Sequence, residues 1–260
     1  GSLGESLRQA ITVDDEGSHF IFSKAQPMCP LLNEKGLCKV VLELGEEGLC
    51  DTCHMHPRFY KYIEDLEQCG VGLSCEASVE LLARQEPMDL LLFIIEDDHN
   101  EFNSEERLTL HNVFELLAFD LDPNLFQYTP KLSKQSFKEL LDLYKQTEPI
   151  DENWTAQVNT LSSKLDQLIA SVQTYIQHED MSLFNKVYQY ILYRQIDMLS
   201  DYSLESILAY AKEGTDYILI ASALEGQPLK QVARWSQQIE YDEDNVALLL
   251  QHYEAQLIIE

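Results

Sequence analysis

The chain has 260 residues, 45% of them apolar, enough to bury the core of one large domain or two small ones. Its 18 basic and 45 acidic side chains leave a net charge of −27, which excludes the basic footprint that nucleic acid and anionic membrane require. The same surface attracts a lysine-bearing protein at short range.

Gly1 and Ser2 read as an expression remnant. No opening apolar run marks a signal peptide, and no segment holds the roughly 18 consecutive apolar residues of a membrane helix. The expected location is the cytoplasm.

The expected fold class is mostly α: a glycine- and cysteine-rich metal-binding region, residues 1–87, followed by an all-α helical domain, residues 88–260. In the first region His19-Phe20-Ile21-Phe22 suits a strand, and Gly36, Gly45, Gly48, Gly70 and Gly72 punctuate the rest. Cys29, Cys38, Cys50, Cys53, Cys69 and Cys75 are all the cysteines of the chain. Disulfides suit a small secreted domain, whereas clustered thiols in a reducing cytosol more often bind a metal. Four thiolates satisfy either Zn²⁺ or a [4Fe–4S] cluster. Cys50-x-x-Cys53 has the spacing of half a zinc knuckle, with His54 and His56 beside it.

Past Pro87 only Gly214 and Gly226 remain, and the apolar pattern turns helical. The acidic run Glu96 to Glu101 lacks EF-hand spacing and reads as a solvated loop. Ser104 is expected to cap a helix to about Phe119, ended by Asp122-Pro123, and Ser133 to cap the next. Val158, Leu161, Leu165, Leu168, Val172 and Ile176 form one stripe, so a single helix is expected from Asp151 to about His178. Further helices are expected at 181–199, 203–213, 215–225, 228–238 and from about Asp242 to Leu257.

The succession Cys29-Pro30-Leu31-Leu32, Leu37-Cys38, Leu44-Gly45-Glu46, Thr52-Cys53, Pro57-Arg58 and Leu73-Ser74-Cys75 resembles the flagellin lysine-N-methylase family. That family is similar to a wider group of cysteine-rich zinc- or iron-chelating proteins. Tyr188-Gln189-Tyr190-Ile191-Leu192-Tyr193-Arg194 is similar to an aromatic helix of the family. Trp235-Ser236-Gln237-Gln238-Ile239-Glu240 followed by Asn245 resembles its closing stretch, with Tyr241 in place of a His. Two departures stand out: Glu76 follows Cys75 where the family usually has Pro, and the family's N-terminal stretch with a Cys-Cys pair is missing.

The resemblance implies methyl transfer from S-adenosylmethionine to flagellin, or another lysine-bearing protein, with a [4Fe–4S] cluster. Zn²⁺ is the alternative metal. It implies Cys29, Cys38, Cys53 and Cys75 as ligands, leaving Cys50 and Cys69 as packing or spare thiols. Arg58 is a candidate for cofactor binding through bidentate bonds, or an ordinary surface arginine. Glu240 is the other candidate, against a helix-surface carboxylate. No Gly-x-Gly-x-x-Gly follows a strand and no Cys-x-x-x-Cys-x-x-Cys triplet occurs, so the cofactor pocket is not of a familiar kind. With the N-terminal stretch missing, little methyl transfer is expected from these residues. The competing expectation is a non-enzymatic metal-binding protein-interaction module.

Overall fold

The computed structural model describes residues 2–14, 17–21, 28–63, 66–84, 90–95 and 102–259, in two compact units, 1–56 and 57–260. Among the described residues the chain is mostly helical, with twelve α-helices and three two-stranded antiparallel sheets. The expected boundary near residue 87 and the acidic run Glu96 to Glu101 lie outside the described residues.

The first unit opens with α1 (Ser2–Ala10) and the hairpin of β1 (Ile11–Asp14) with β2 (Gly17–Phe20). A tight turn then brings Cys38 back beside Leu32 through an isolated bridge. The Asn33 side chain accepts from the Lys35 and Leu37 amides at 2.9 and 3.0 Å, and Gly36 takes the left-handed φ of +75° the turn requires. α2 (Lys39–Leu44) and α3 (Asp51–Met55) follow. The core of this unit is Leu3, Ala10, Leu31 and Val40, with Cys29 and Cys38 packed at its edge. Among the described residues this is a small core for a unit of this length.

The second unit begins with the hairpin of β3 (Arg58–Ile63) and β4 (Leu66–Val71), then α4 (Glu76–Arg84). A further hairpin, β5 (Leu90–Ile95) with β6 (Phe102–Leu108), stands where only helix was expected. The unbroken run Leu90-Leu91-Leu92-Phe93-Ile94-Ile95 is too short for a helix, and its antiparallel partner takes up the segment of Ser104. Helix α5 (Leu110–Leu116) therefore starts later, behind a capping box in which Thr109 and Asn112 satisfy each other's amides.

Ser133 and Asp151 cap α6 (Lys134–Tyr144) and α7 (Glu152–Ser163), their side chains accepting from the Ser136 and Trp154 amides. The long helix expected from Asp151 breaks at Lys164, and α8 (Leu165–His178) continues the stripe. α9 (Ser182–Arg194) is shorter than expected and ends in a 3-10 turn, Ile196–Ser200. The two helices expected at 203–213 and 215–225 are one, α10 (Leu204–Glu225). Gly214 does not break it but permits close approach: a Cβ there would lie 2.6 Å from the Trp235 ring. α10 is the centre of the unit, packed by α8, α9, α11 (Pro228–Trp235) and α12 (Glu243–Ile259). Around it Tyr144 stacks on Tyr217 at 4.6 Å, Trp154 lies 5.0 Å from Tyr217, and Trp235 donates to the Tyr144 hydroxyl at 2.9 Å.

Asp216 places a carboxyl inside this packing. Asp216 of α10 accepts from the Tyr128 hydroxyl at 2.5 Å, and burial raises its pKa to about 7. The Tyr128 bond, Lys212 and the Lys131 amide pull it down, and Glu213 pushes it up. A raised folded pKa means stability that is full below the ordinary carboxyl value and is lost as pH rises through about 7. Asp216→Asn keeps an acceptor for Tyr128 and cannot ionise. It should match the parent protein near pH 4 and be more stable at pH 8 by on the order of 1–4 kcal/mol. Melting curves across that range check this: equal pH dependence for both proteins would refute it.

Candidate functional site

Three segments far apart in sequence meet in the second unit: the β3–β4 hairpin with the Gly72-Leu73-Ser74 turn, the end of α9, and a π-helical turn, Ser236–Glu240, that continues α11. Their meeting point is Arg194. Its guanidinium lies 4.8 Å from the Phe59 ring centre and 5.0 Å from that of Tyr241, a stacking arrangement on two aromatic faces. Its Nη1 donates to the Tyr190 hydroxyl at 3.2 Å, and its Nε forms an ion pair with Glu240 Oε1 at 3.5 Å. The Glu240 side chain is fully buried, and its other oxygen accepts from the Ser236 hydroxyl.

Burial raises the Glu240 carboxyl, against Arg194, the Ser236 bond and Lys61, which lower it. Burial opposes the charge on Arg194, but Glu240 and Tyr190 outweigh it and drive its pKa further up. The hairpin is fastened to the same centre. Lys61 donates to the Arg194 carbonyl at 2.8 Å and to Asp197 at 2.7 Å, and burial lowers its pKa. Gln68 donates to the Tyr193 carbonyl, and the Tyr193 hydroxyl donates to the Cys69 carbonyl at 2.9 Å. A Cβ on Gly72 would collide with the Tyr241 hydroxyl and come within 3.1 Å of Arg194 Nη1. Gln237 donates to the Ser74 carbonyl at 2.9 Å. Around this centre Gln68 Oε1, Ser74 Oγ, Gln195 Oε1 and the Tyr210 hydroxyl are buried with no hydrogen-bond partner among the described residues.

The tyrosines of the aromatic helix are packed. Tyr188 donates to the Leu125 carbonyl at 2.8 Å, while Tyr190 and Tyr193 hold Arg194 and the hairpin. Glu240 is an interior clamp rather than a helix-surface carboxylate. Arg58 is exposed at the start of β3.

The thiols divide between the units. In the first, Cys53 shares a hydrogen bond with Cys50, and its pKa is pushed up to about 11 by partial burial, that bond and the thiols of Cys50, Cys29 and Cys38. In the second, burial raises the Cys75 thiol, but hydrogen bonds from Ser78 and the Ala77 amide at the head of α4 outweigh it and lower its pKa. Cys69 is exposed on β4, and His54 and His56 are exposed on and just after α3. The thiols suit Zn²⁺ or an iron–sulfur cluster in chemistry. They do not yet suit it in spacing: among the described residues no three histidine, cysteine or carboxylate side chains are gathered to hold a metal ion.

Beside the π turn lies a cleft of about 550 Å³ with Glu76, Gln157, Glu225, Lys230, Gln231 and Gln237 in its lining. Gln157 donates to Glu225 at 2.7 Å and is itself held by the Tyr217 hydroxyl at 3.2 Å. Nothing in the apolar periodicity marks these residues. They are polar positions of α4, α7, α10, α11 and the π turn that only the packing of those elements brings together.

Compared with known proteins, the chain matches no family model, no curated protein and no solved structure.

The Arg194–Glu240 pair gives a direct test. Glu240→Gln leaves a buried guanidinium without its counter-charge and should cost about 3–5 kcal/mol of stability at pH 7. Replacing both, Arg194→Met with Glu240→Leu, should cost less than the sum of Arg194→Met alone and Glu240→Leu alone. Urea denaturation of the parent, these two single variants and the double variant measures the coupling, and additive losses would mean that the ion pair is not the clamp.

Proposed function

We propose that the chain is a flagellin lysine-N-methylase-type protein whose N-terminal cysteines bind a metal centre. One observation carries this reading. The stretches that resemble the family, Leu73-Ser74-Cys75, Tyr188 to Arg194 and Trp235 to Glu240, are separated by more than a hundred and by about forty residues, yet they abut around Arg194. A chance likeness of scattered motifs has no reason to assemble in space. π turns, moreover, are rare and concentrate at functional sites.

In this reading S-adenosylmethionine would supply an electrophilic methyl group to a neutral lysine amine of flagellin or another lysine-bearing protein, leaving as S-adenosylhomocysteine while the amine gives up one proton to solvent. The acidic surface draws that substrate in. The Arg194 centre serves as the scaffold that fixes the hairpin and the π turn beside the cleft, because Glu240 is too deeply buried to touch a ligand. The metal is a [4Fe–4S] cluster by resemblance, with Zn²⁺ as the alternative. Cys29, Cys38 and Cys53 belong to its ligand set. For the fourth ligand, Cys50 replaces Cys75: Cys50 is hydrogen-bonded to Cys53, whereas the Cys75 sulfur is engaged with Ala77 and Ser78. Binding must draw these thiols closer than they stand, and the small core of the first unit is the part that would gain from it.

A second reading, a non-enzymatic metal-binding interaction module, is favoured by the thiol grouping alone. Protein prepared without oxygen should contain iron and sulfide, and stoichiometric zinc instead would change the metal and keep the thiol assignment. Cys50→Ser should empty the centre and Cys75→Ser should leave it full. The reverse pattern would return the fourth ligand to Cys75. Even with the metal in place, these residues alone should pass little labelled methyl from S-adenosylmethionine to lysines of a cognate flagellin, and transfer should appear when the family's Cys-Cys stretch is added ahead of them. No transfer by either metal-loaded protein would favour the module, and robust transfer by these residues alone would place the whole active site within them.

A further inference from the structure

The cleft between α4, α7, the end of α10 and α11 presents charges of both signs on an amide-rich wall. Glu225 closes α10 and accepts from two side-chain amides, Gln157 at 2.7 Å and Gln231 at 3.4 Å, with no cation paired to it among the described residues. Glu76, exposed at the start of α4, belongs to the same lining, also without an ion pair among the described residues. Lys230 contributes an ammonium on α11 in the same condition, while the guanidinium of Arg234 is engaged by Asp151 at 2.9 Å. The Glu225 carboxylate is held from behind, because the buried Gln157 is fixed at once by Glu225, Gln231 and Tyr217. That is the support a binding group needs to be preorganised.

Chemistry narrows the occupant. Glu76 and Glu225 repel phosphate. Lys230 makes a bare cation an incomplete match. The lining includes no aromatic ring for a sugar to stack on. An apolar molecule would leave the carboxylates of Glu76 and Glu225 and the Lys230 ammonium facing it without a partner. A ligand with an ammonium and a carboxylate a few ångströms apart, together with donors and acceptors for amides, leaves none of these groups uncompensated. Ala156 and Ala233 offer a small apolar strip for its aliphatic stem.

We propose that this cleft binds a small molecule with a zwitterionic α-amino-acid head, its ammonium taken by Glu225 and Glu76 and its carboxylate by Lys230. The head group follows from the cleft itself. Only the choice between a free amino acid and an S-adenosyl amino acid rests on the methylase reading.

Isothermal titration of the full chain with methionine, S-adenosylhomocysteine and adenosine separates these. The two amino-acid probes should bind and compete with each other, and adenosine alone should not bind. Glu225→Gln and Lys230→Gln should each weaken binding at least tenfold. Lys230 is exposed, so its variant keeps the test decisive if Glu225→Gln does not fold. Methionine binding without S-adenosylhomocysteine binding would keep the cleft assignment and remove the methylase reading. S-adenosylhomocysteine binding unchanged in both variants would keep the methylase reading and overturn the cleft assignment. No binding of either amino-acid probe would overturn it as well.

Discussion

A guanidinium buried inside a helical protein cannot shed its charge, so everything around it must be arranged to keep it there. Arg194 is that constraint in the second unit. It needs an anion, and Glu240 reaches it from a π turn. It needs flat neighbours, and Phe59 and Tyr241 cover it from the hairpin and from the residue after the turn. The glycine at position 72 follows from the same requirement, since any side chain there would displace Tyr241 and crowd the guanidinium. Lys61, bonded to the Arg194 carbonyl and to Asp197, then fixes the strand that carries Phe59. The aromatic packing around α10 is a separate layer of the same core, reached through Trp235, whose ring lies against Gly214.

Much of the helical architecture was legible because its signals are local. Ser133 and Asp151 are caps whose side-chain oxygens meet an amide three residues on, and the stripes of α6 to α9 follow from spacing. What misled were features decided by tertiary partners. Leu90 to Ile95 is strand because Phe102 to Leu108 pairs with it. Gly214 reads as a helix breaker until Trp235 is placed against it, and the stripe from Val158 to Ile176 runs through a break at Lys164 that apolar spacing alone does not register.

For the site, resemblance picked out Glu240 and the Tyr188 to Arg194 helix, but not their relation. Arg194 passed as the end of an aromatic pattern, and its partner sits 46 residues away. The cleft was illegible for another reason. Its lining is mostly polar and charged side chains of helix surfaces, an ordinary composition, and only the meeting of four helices makes it concave. The cysteines were legible as a cluster from spacing, whereas the choice of ligands among them came from the resemblance, and Cys50 and Cys75 differ in what surrounds their sulfurs.

The two units thus rest on different physics. The second has a continuous apolar core with a buried ion pair at its edge, and the first has a handful of buried side chains and a group of thiols. A metal bound by the first unit, as proposed, would be folding energy for that unit above all. Amide hydrogen exchange on metal-loaded and metal-stripped protein tests this most directly. The account predicts that stripping releases protection across residues 28–56 and leaves α9, α10 and the π turn unchanged. Equal protection everywhere with and without metal, or loss spread through residues 57–260, would contradict it.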